Sequence, residues 1–190
     1  MLIPFGVFSA AGAGGGAAAG SYELISTTIL GSSSASVTFD VTGLGSTYKH
    51  LQLRIAARTD RSSYVDTAMI RFNGSTTNYG SHYMSGSGSA VGSSAEIGQT
   101  KIWGTRIAAS NSGTSVFGGG YVDILDAFSA SKYKTTRSLS GYTSGSGSEV
   151  YLFSGLWMDI TTISSVNLTP NIGSNFVSGS RFSIYGIKGA

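Results

Sequence analysis

The chain has 190 residues, a formal charge of +3, 28 Gly, 2 Pro and no Cys. The missing cysteine excludes a disulfide framework and any cysteine metal site, and the basic residues are scattered (Arg54, Arg58 and Arg61, then Lys132, Lys134 and Arg137) with no dense run of the kind a nucleic-acid binder carries. Charged side chains are only 11% of the chain, against about 25% in an average soluble domain. Solubility must then come from a hydroxyl-rich surface or from burial against other subunits, and both suit a member of a large assembly.

Residues 1–21 hold no charged side chain. A signal peptide would start with basic residues, and the apolar part, residues 2–8, is far too short to cross a membrane. No membrane insertion is expected. Leu2, Ile3, Phe5, Val7 and Phe8 read as an anchor that docks on a partner, with the Gly/Ala run behind them as a connector. An N-terminal strand packed on its own domain is the other reading of this segment. The domain itself is expected over residues 22–190.

Residues 22–30 are rich in β-branched side chains and predict a first strand. In residues 35–41 Val37, Phe39 and Val41 alternate with polar neighbours. Residues 48–58 carry the most regular pattern in the chain. Leu51, Leu53, Ile55 and Ala57 fall on one face, and His50, Gln52, Arg54, Ala56 and Arg58 on the other. This period of two marks a half-buried strand at the centre of a sheet. Residues 65–73 predict another strand, with Ala68, Ile70 and Phe72 on one face, closed by the turn signal Asn73-Gly74. The Gly/Ser-rich stretch 75–94 reads as a long exposed loop with a short strand at residues 82–84. Residues 96–103 and 105–108 suggest a strand pair. Gly118–Gly120 predict a bulge or sharp bend, followed over 121–126 by a strand or by a helical turn near Ala127. Residues 132–142 read as an exposed, basic strand. Residues 149–160 carry large apolar side chains on both faces, Val150, Leu152 and Leu156 against Tyr151, Phe153 and Trp157. A strand apolar on both sides is either sandwiched or lies between subunits, and Tyr151, Phe153 and Trp157 are the expected intersubunit contact. Ile163, Val166 and Leu168 continue in a strand or turn, and residues 180–188 form the last strand, with Phe182 and Ile184 inward. Roughly eight to ten short strands with frequent turn signals predict an all-β fold. The expected form is an antiparallel two-sheet sandwich of jelly-roll type with an extended N-terminal arm.

Reactive chemistry has few candidates. His50 and His82 stand in no metal-ligand spacing, so no metal or other cofactor is expected. Asp123 and Asp126 read as acids at an element end, because a Ca²⁺ site would need more oxygens than they supply. Nothing singles out Asp60 and Asp66 as the paired carboxylates of a glycosidase. No serine sits in a GxSxG elbow, and no Gly-rich run has phosphate-loop spacing. The pattern predicts a protein that is not an enzyme. Tyr64, Tyr79, Tyr83, Trp103, Tyr142 and Trp157 lie in or beside polar loops and strand ends. Rings with hydroxyl and amide neighbours suit sugar or protein contact. Tyr64, Tyr79, Tyr83 and Tyr142 are the candidate contacts, on loops 59–64, 75–94 and 143–148. Simple closure of the sandwich ends is the competing reading for each ring.

Three stretches together resemble a known family: MLIPFGVFSAAG, the block from Tyr22 to Arg58 that is joined to RFNG at Arg71–Gly74, and the closing SGSRFSIYGIKG. Residues 122–141, VDILDAFSASKYKTTRSLSG, and the SGLW run add to them. The chain resembles virion structural proteins of tailed bacteriophages, tail-fibre-like or on the capsid surface. The resemblance implies a β-rich domain on the particle exterior, a homotrimer, and other virion proteins in tail or capsid as partners, with host surface polysaccharide as a further contact. Tail-associated and capsid-decoration positions both fit it, and a free carbohydrate-binding module is the alternative outside the virion. It brings no catalytic residues.

Overall fold

The computed structural model describes residues 20–144 and 147–189. The residues of the expected anchor, Leu2, Ile3, Phe5, Val7 and Phe8, lie outside them. Twelve strands run in chain order: β1 (Tyr22–Ile29), β2 (Val37–Asp40), β3 (His50–Ala57), β4 (Val65–Phe72), β5 (Tyr79–Gly86), β6 (Val91–Gln99), β7 (Ile102–Ala108), β8 (Gly118–Leu125), β9 (Lys134–Ser144), β10 (Gly147–Trp157), β11 (Ser165–Pro170) and β12 (Arg181–Ile187). Two short 3₁₀ turns, Leu44–Ser46 and Ser110–Ser112, are the helical elements among the described residues. No helix there is long and apolar enough to cross a membrane.

All pairings between these strands are antiparallel. They form an eight-stranded sheet, β1-β12-β3-β8-β9-β10-β5-β6, and a four-stranded sheet, β2-β11-β4-β7. The chain is a β-sandwich. β1 pairs with β12, β2 with β11, β3 with β8 and β4 with β7. These four pairs match the strand order of a jelly roll, a long hairpin wound on itself. Two hairpins are inserted into it. β5–β6 leaves between β4 and β7, β9–β10 leaves between β8 and β11, and both extend the larger sheet beyond β8.

The core follows from the alternation. Leu51, Leu53 and Ile55 of β3, Val122 and Ile124 of β8, and Phe182 and Ile184 of β12 point into the sandwich. They meet Val37 and Phe39 of β2, Ala68, Ile70 and Phe72 of β4, and Val166 and Leu168 of β11. Burial of such side chains supplies the main favourable term, roughly 1.5–3 kcal/mol each.

Several expectations are corrected. Residues 75–94 are the β5 strand and most of the β5–β6 hairpin, not a loop. Its register is kept by backbone ladders, so it needs little apolar alternation. Residues 96–108 do not pair with each other, because β6 ends the larger sheet while β7 ends the smaller one. Gly118–Gly120 open a strand paired with β3 without a register shift. These glycines serve close approach: a Cβ on Gly118 would stand 2.6 Å from the Ala108 nitrogen, and one on Gly120 2.5 Å from the Ser140 Cβ. β9 is not an exposed strand, since Lys134, Thr136, Ser138 and Ser140 are buried on its inner face.

That hydroxyl face has a partner. β7 is an edge strand, and its outward backbone groups would lack ladder bonds. The Trp103 N–H donates to Ser81 Oγ at 3.2 Å, the Arg106 N–H donates to Ser140 Oγ at 2.9 Å, and Ser138 Oγ donates to the Gly104 carbonyl at 2.5 Å. Serines of the larger sheet thus complete the edge of the smaller one across the sandwich. The buried Lys134 ammonium donates to the carbonyls of Ser129 and Lys132, each at 2.7 Å, and of Ile160 at 3.3 Å. It fastens the 129–134 turn to the segment after β10, and burial holds its pKa below the ordinary lysine value.

Candidate binding face

The expected intersubunit residues lie inside the chain. Tyr151, Phe153 and Trp157 are buried on the inner face of β10. Trp157 packs on Phe72 and Tyr79, with ring centroids 5.7 and 6.0 Å away. Tyr151 and Phe153 stack on each other and pack at a tilt against Tyr83, next to Trp103. The physical reason is the period of two: one face of β10 must meet β7, and the large rings take it. The face left open carries Val150 and Leu152.

The four candidate contact tyrosines do not converge. Tyr79 and Tyr142 are buried, and Tyr83 is half-buried in the aromatic cluster. Tyr64 is exposed, but it lies on the β3–β4 connection, where its carbonyl accepts Ser112 Oγ and the Ala109 N–H. Tyr79 fails as a contact because its phenol is spent on the backbone of Phe72. Asp60 and Asp66, which nothing in the sequence singled out as a catalytic pair, hold backbone. Asp60 accepts the N–H groups of Ser174 and Asn175, and Asp66 accepts those of Thr67, Ile172 and Gly173, so both tie the 171–175 loop to the sandwich. Asp126 pairs with Lys132 at 2.8 Å, and its N–H donates to His50 Nδ1 at 2.9 Å. Among the described residues no group of three or more His, Asp or Glu is placed to hold a metal ion.

The outer face of the eight-stranded sheet is the surface with chemistry to offer, and it divides near β8. Cross-strand register sets its rows. On one half, Met84 of β5, Leu152 of β10 and Leu139 of β9 stand side by side, with Tyr121 of β8 at the end of the row. Val150 lies in the next row, which Gly86 carries to Val91 of β6, and Ile97 of β6 lies farther along the same face in the row of Gly80 and Leu156. Their exposure is high: Val91 93%, Ile97 79%, Met84 61% and Val150 58%. A hollow of about 390 Å³ between Ile97, Leu156 and His82 pits this half.

The other half is aromatic and cationic. Tyr22 of β1 stacks on Tyr185 of β12, with centroids 4.7 Å apart, and the Arg54 guanidinium lies over both rings at 5.5 and 5.3 Å. The Tyr22 hydroxyl donates to Gln52 Oε1 at 2.7 Å, and Gln52 Nε2 donates to Asp123 Oδ1 at 2.8 Å. Burial raises the Tyr22 phenol pKa, against the pull of Arg54. Arg54, Tyr121, Tyr185 and Arg181 rise around a floor of Ala56, Ser183 and the backbone of Ile55 and Gly120, enclosing about 350 Å³. Of these, the polar face of β3 with Arg54 was legible in the alternation. Tyr121, Arg181 and Tyr185 were missed, although they alternate with core residues on β8 and β12. That alternation was the signal that could have found them.

Compared with family models, with curated proteins and with solved structures, the chain matches none of them.

Proposed function

We propose that the chain is a structural protein on the exterior of a tailed-bacteriophage particle, a tail-fibre-like or tail-associated module that works as a homotrimer. In this reading Leu2, Ile3, Phe5, Val7 and Phe8 dock on another virion protein, and the apolar half of the outer sheet face is buried between subunits. The observation that carries it is the row Met84, Leu152 and Leu139, with Val150 and Val91 in the next row and Ile97 farther along, all uncovered on one sheet face. Monomeric proteins rarely leave a continuous apolar patch of this kind in water. The low charge of the chain supports the same reading, as does the resemblance of its N-terminal, middle and closing stretches to virion proteins.

The test has two parts. In sedimentation equilibrium the full chain should give three times its 19.5 kDa mass. Leu152→Asp should give a folded monomer, because Leu152 is solvent-exposed in the single chain. A monomeric wild type removes the oligomer. Separately, immunogold labelling should place the chain on purified phage particles, and deletion of residues 2–8 should abolish its incorporation. Unlabelled particles remove the virion reading.

A further inference from the structure

The aromatic and cationic half of the outer face is a built groove. Its floor is made of small side chains and backbone, so the sheet surface is open between its walls. Tyr121 opposes Arg54 across β3 and β8, and Ser183 opposes Arg54 across β3 and β12. Arg54 is held in place before any ligand arrives. Its guanidinium is stacked on Tyr22 and Tyr185, and its Nε donates to Gln52 Oε1 at 3.4 Å. Stacking of this kind fixes a planar cation without consuming its outward N–H groups.

The charge of the groove is unbalanced. Among the described residues neither Arg54 nor Arg181 forms an ion pair. Asp123, one row from Arg54 on this face, accepts from Gln52 and does not line the groove. Two arginines therefore line one cavity with no carboxylate among its lining residues, together with Tyr121 and Tyr185.

We infer that this groove binds a saccharide carrying a carboxylate, a uronate or sialate unit within a glycan. The inference holds whether or not the chain is a virion protein. The C–H face of a pyranose ring lies on an aromatic ring, here that of Tyr121, while the planar forks of Arg54 and Arg181 match a carboxylate in bidentate geometry. A nucleic-acid strand would need a basic track along its backbone, and the scattered cations of this chain supply none. The rigid Arg54 lowers the ordering cost of binding. The site lies on the sheet, not on the loops.

The test is calorimetric titration of the full chain with oligogalacturonate, oligoglucuronate and sialyllactose, each beside a neutral counterpart. The acidic saccharides should bind, with affinity falling as salt is added, and the neutral ones should bind roughly tenfold more weakly or not at all. Arg54→Ala, Arg181→Gln and Tyr121→Ala should each weaken binding by roughly tenfold, with thermal unfolding unchanged in Arg181→Gln and Tyr121→Ala because both side chains are exposed. Three results would overturn the assignment: no acidic saccharide bound at millimolar concentration, neutral saccharides bound equally well, or full affinity kept by Arg181→Gln and Tyr121→Ala.

Discussion

The phenol of Tyr79 accepts the backbone N–H of Phe72 at 2.9 Å and donates back to the Phe72 carbonyl at 3.3 Å. Phe72 ends β4 in the smaller sheet, and Tyr79 opens β5 in the larger one. One side chain therefore closes the crossing between the two layers, at a place where β4 has run out of ladder. Tyr79→Phe keeps the ring against Trp157 and removes the hydroxyl, which leaves the buried Phe72 N–H unpaired, while the Phe72 carbonyl keeps the Ser75 N–H at 2.9 Å. The expected loss is about 1–3 kcal/mol, read from the urea midpoint with an unchanged far-ultraviolet circular dichroism spectrum. An unmoved midpoint would contradict the capping role.

The serine edge predicts a local effect. Ser140→Ala removes the acceptor of the Arg106 N–H. Stability should fall by about 1–3 kcal/mol. Hydrogen exchange should quicken at the Arg106 amide more than at amides of β3. Uniform exchange across both strands would show that the hydroxyl does not complete the edge.

Gly120→Ala tests close approach. Its Cβ would stand 2.5 Å from the Ser140 Cβ and 2.6 Å from the Leu139 carbonyl oxygen. Both neighbours belong to β9 and cannot swing away, so the pair of strands must part. The expected cost is about 1–3 kcal/mol in chemical denaturation. Gly31→Ala is the control, since nothing lies within 4 Å of its added Cβ. Equal midpoints for the two variants would defeat the prediction.

Acid should unfold the protein through its carboxylates. Burial pulls the Asp60 carboxyl upward, but the N–H and side-chain amide of Asn175 and the Ser174 N–H outweigh it and hold the pKa below the ordinary value. The hydrogen bond from Lys132 lowers that of Asp126, and those from Lys188 and Tyr48 lower that of Glu23. Each group binds its proton more weakly folded than unfolded. The stabilisation is therefore present above the unfolded value and is lost as pH falls through the folded one, so stability should decline below about pH 4. Urea midpoints measured across that range check it, and Asp60→Asn should show a shallower decline. A wild-type midpoint that holds steady through the acid range would refute the linkage.

Much of the sandwich was legible because burial leaves a period of two. Leu51, Leu53 and Ile55, or Phe182 and Ile184, announce their face without help from the rest of the chain. The β5–β6 hairpin was not legible for the converse reason. It extends the larger sheet beyond β8, most of β6 is solvent-exposed, and burial imposed no pattern on its Gly and Ser residues. Ser138 and Ser140 looked like surface because a hydroxyl reads as polar until the backbone it serves is placed opposite. The groove was half visible: Arg54 lay on the polar face of β3, but nothing local joined it to Tyr121, 67 positions later, or to Arg181.

By itself the sequence determined the all-β class, the strand-by-strand alternation and the absence of cysteine chemistry, since these depend on residue type and on neighbours along the chain. Only the tertiary structure decided which side of β10 turned inward. Tyr151 and Phe153 on one face and Val150 and Leu152 on the other are both apolar, and alternation separates two faces without saying which is covered. That choice belongs to the opposing layer, where the β7 edge lies over β8, β9 and β10. The same non-local pairing brought Arg54, Tyr121, Tyr185 and Arg181 around one cavity.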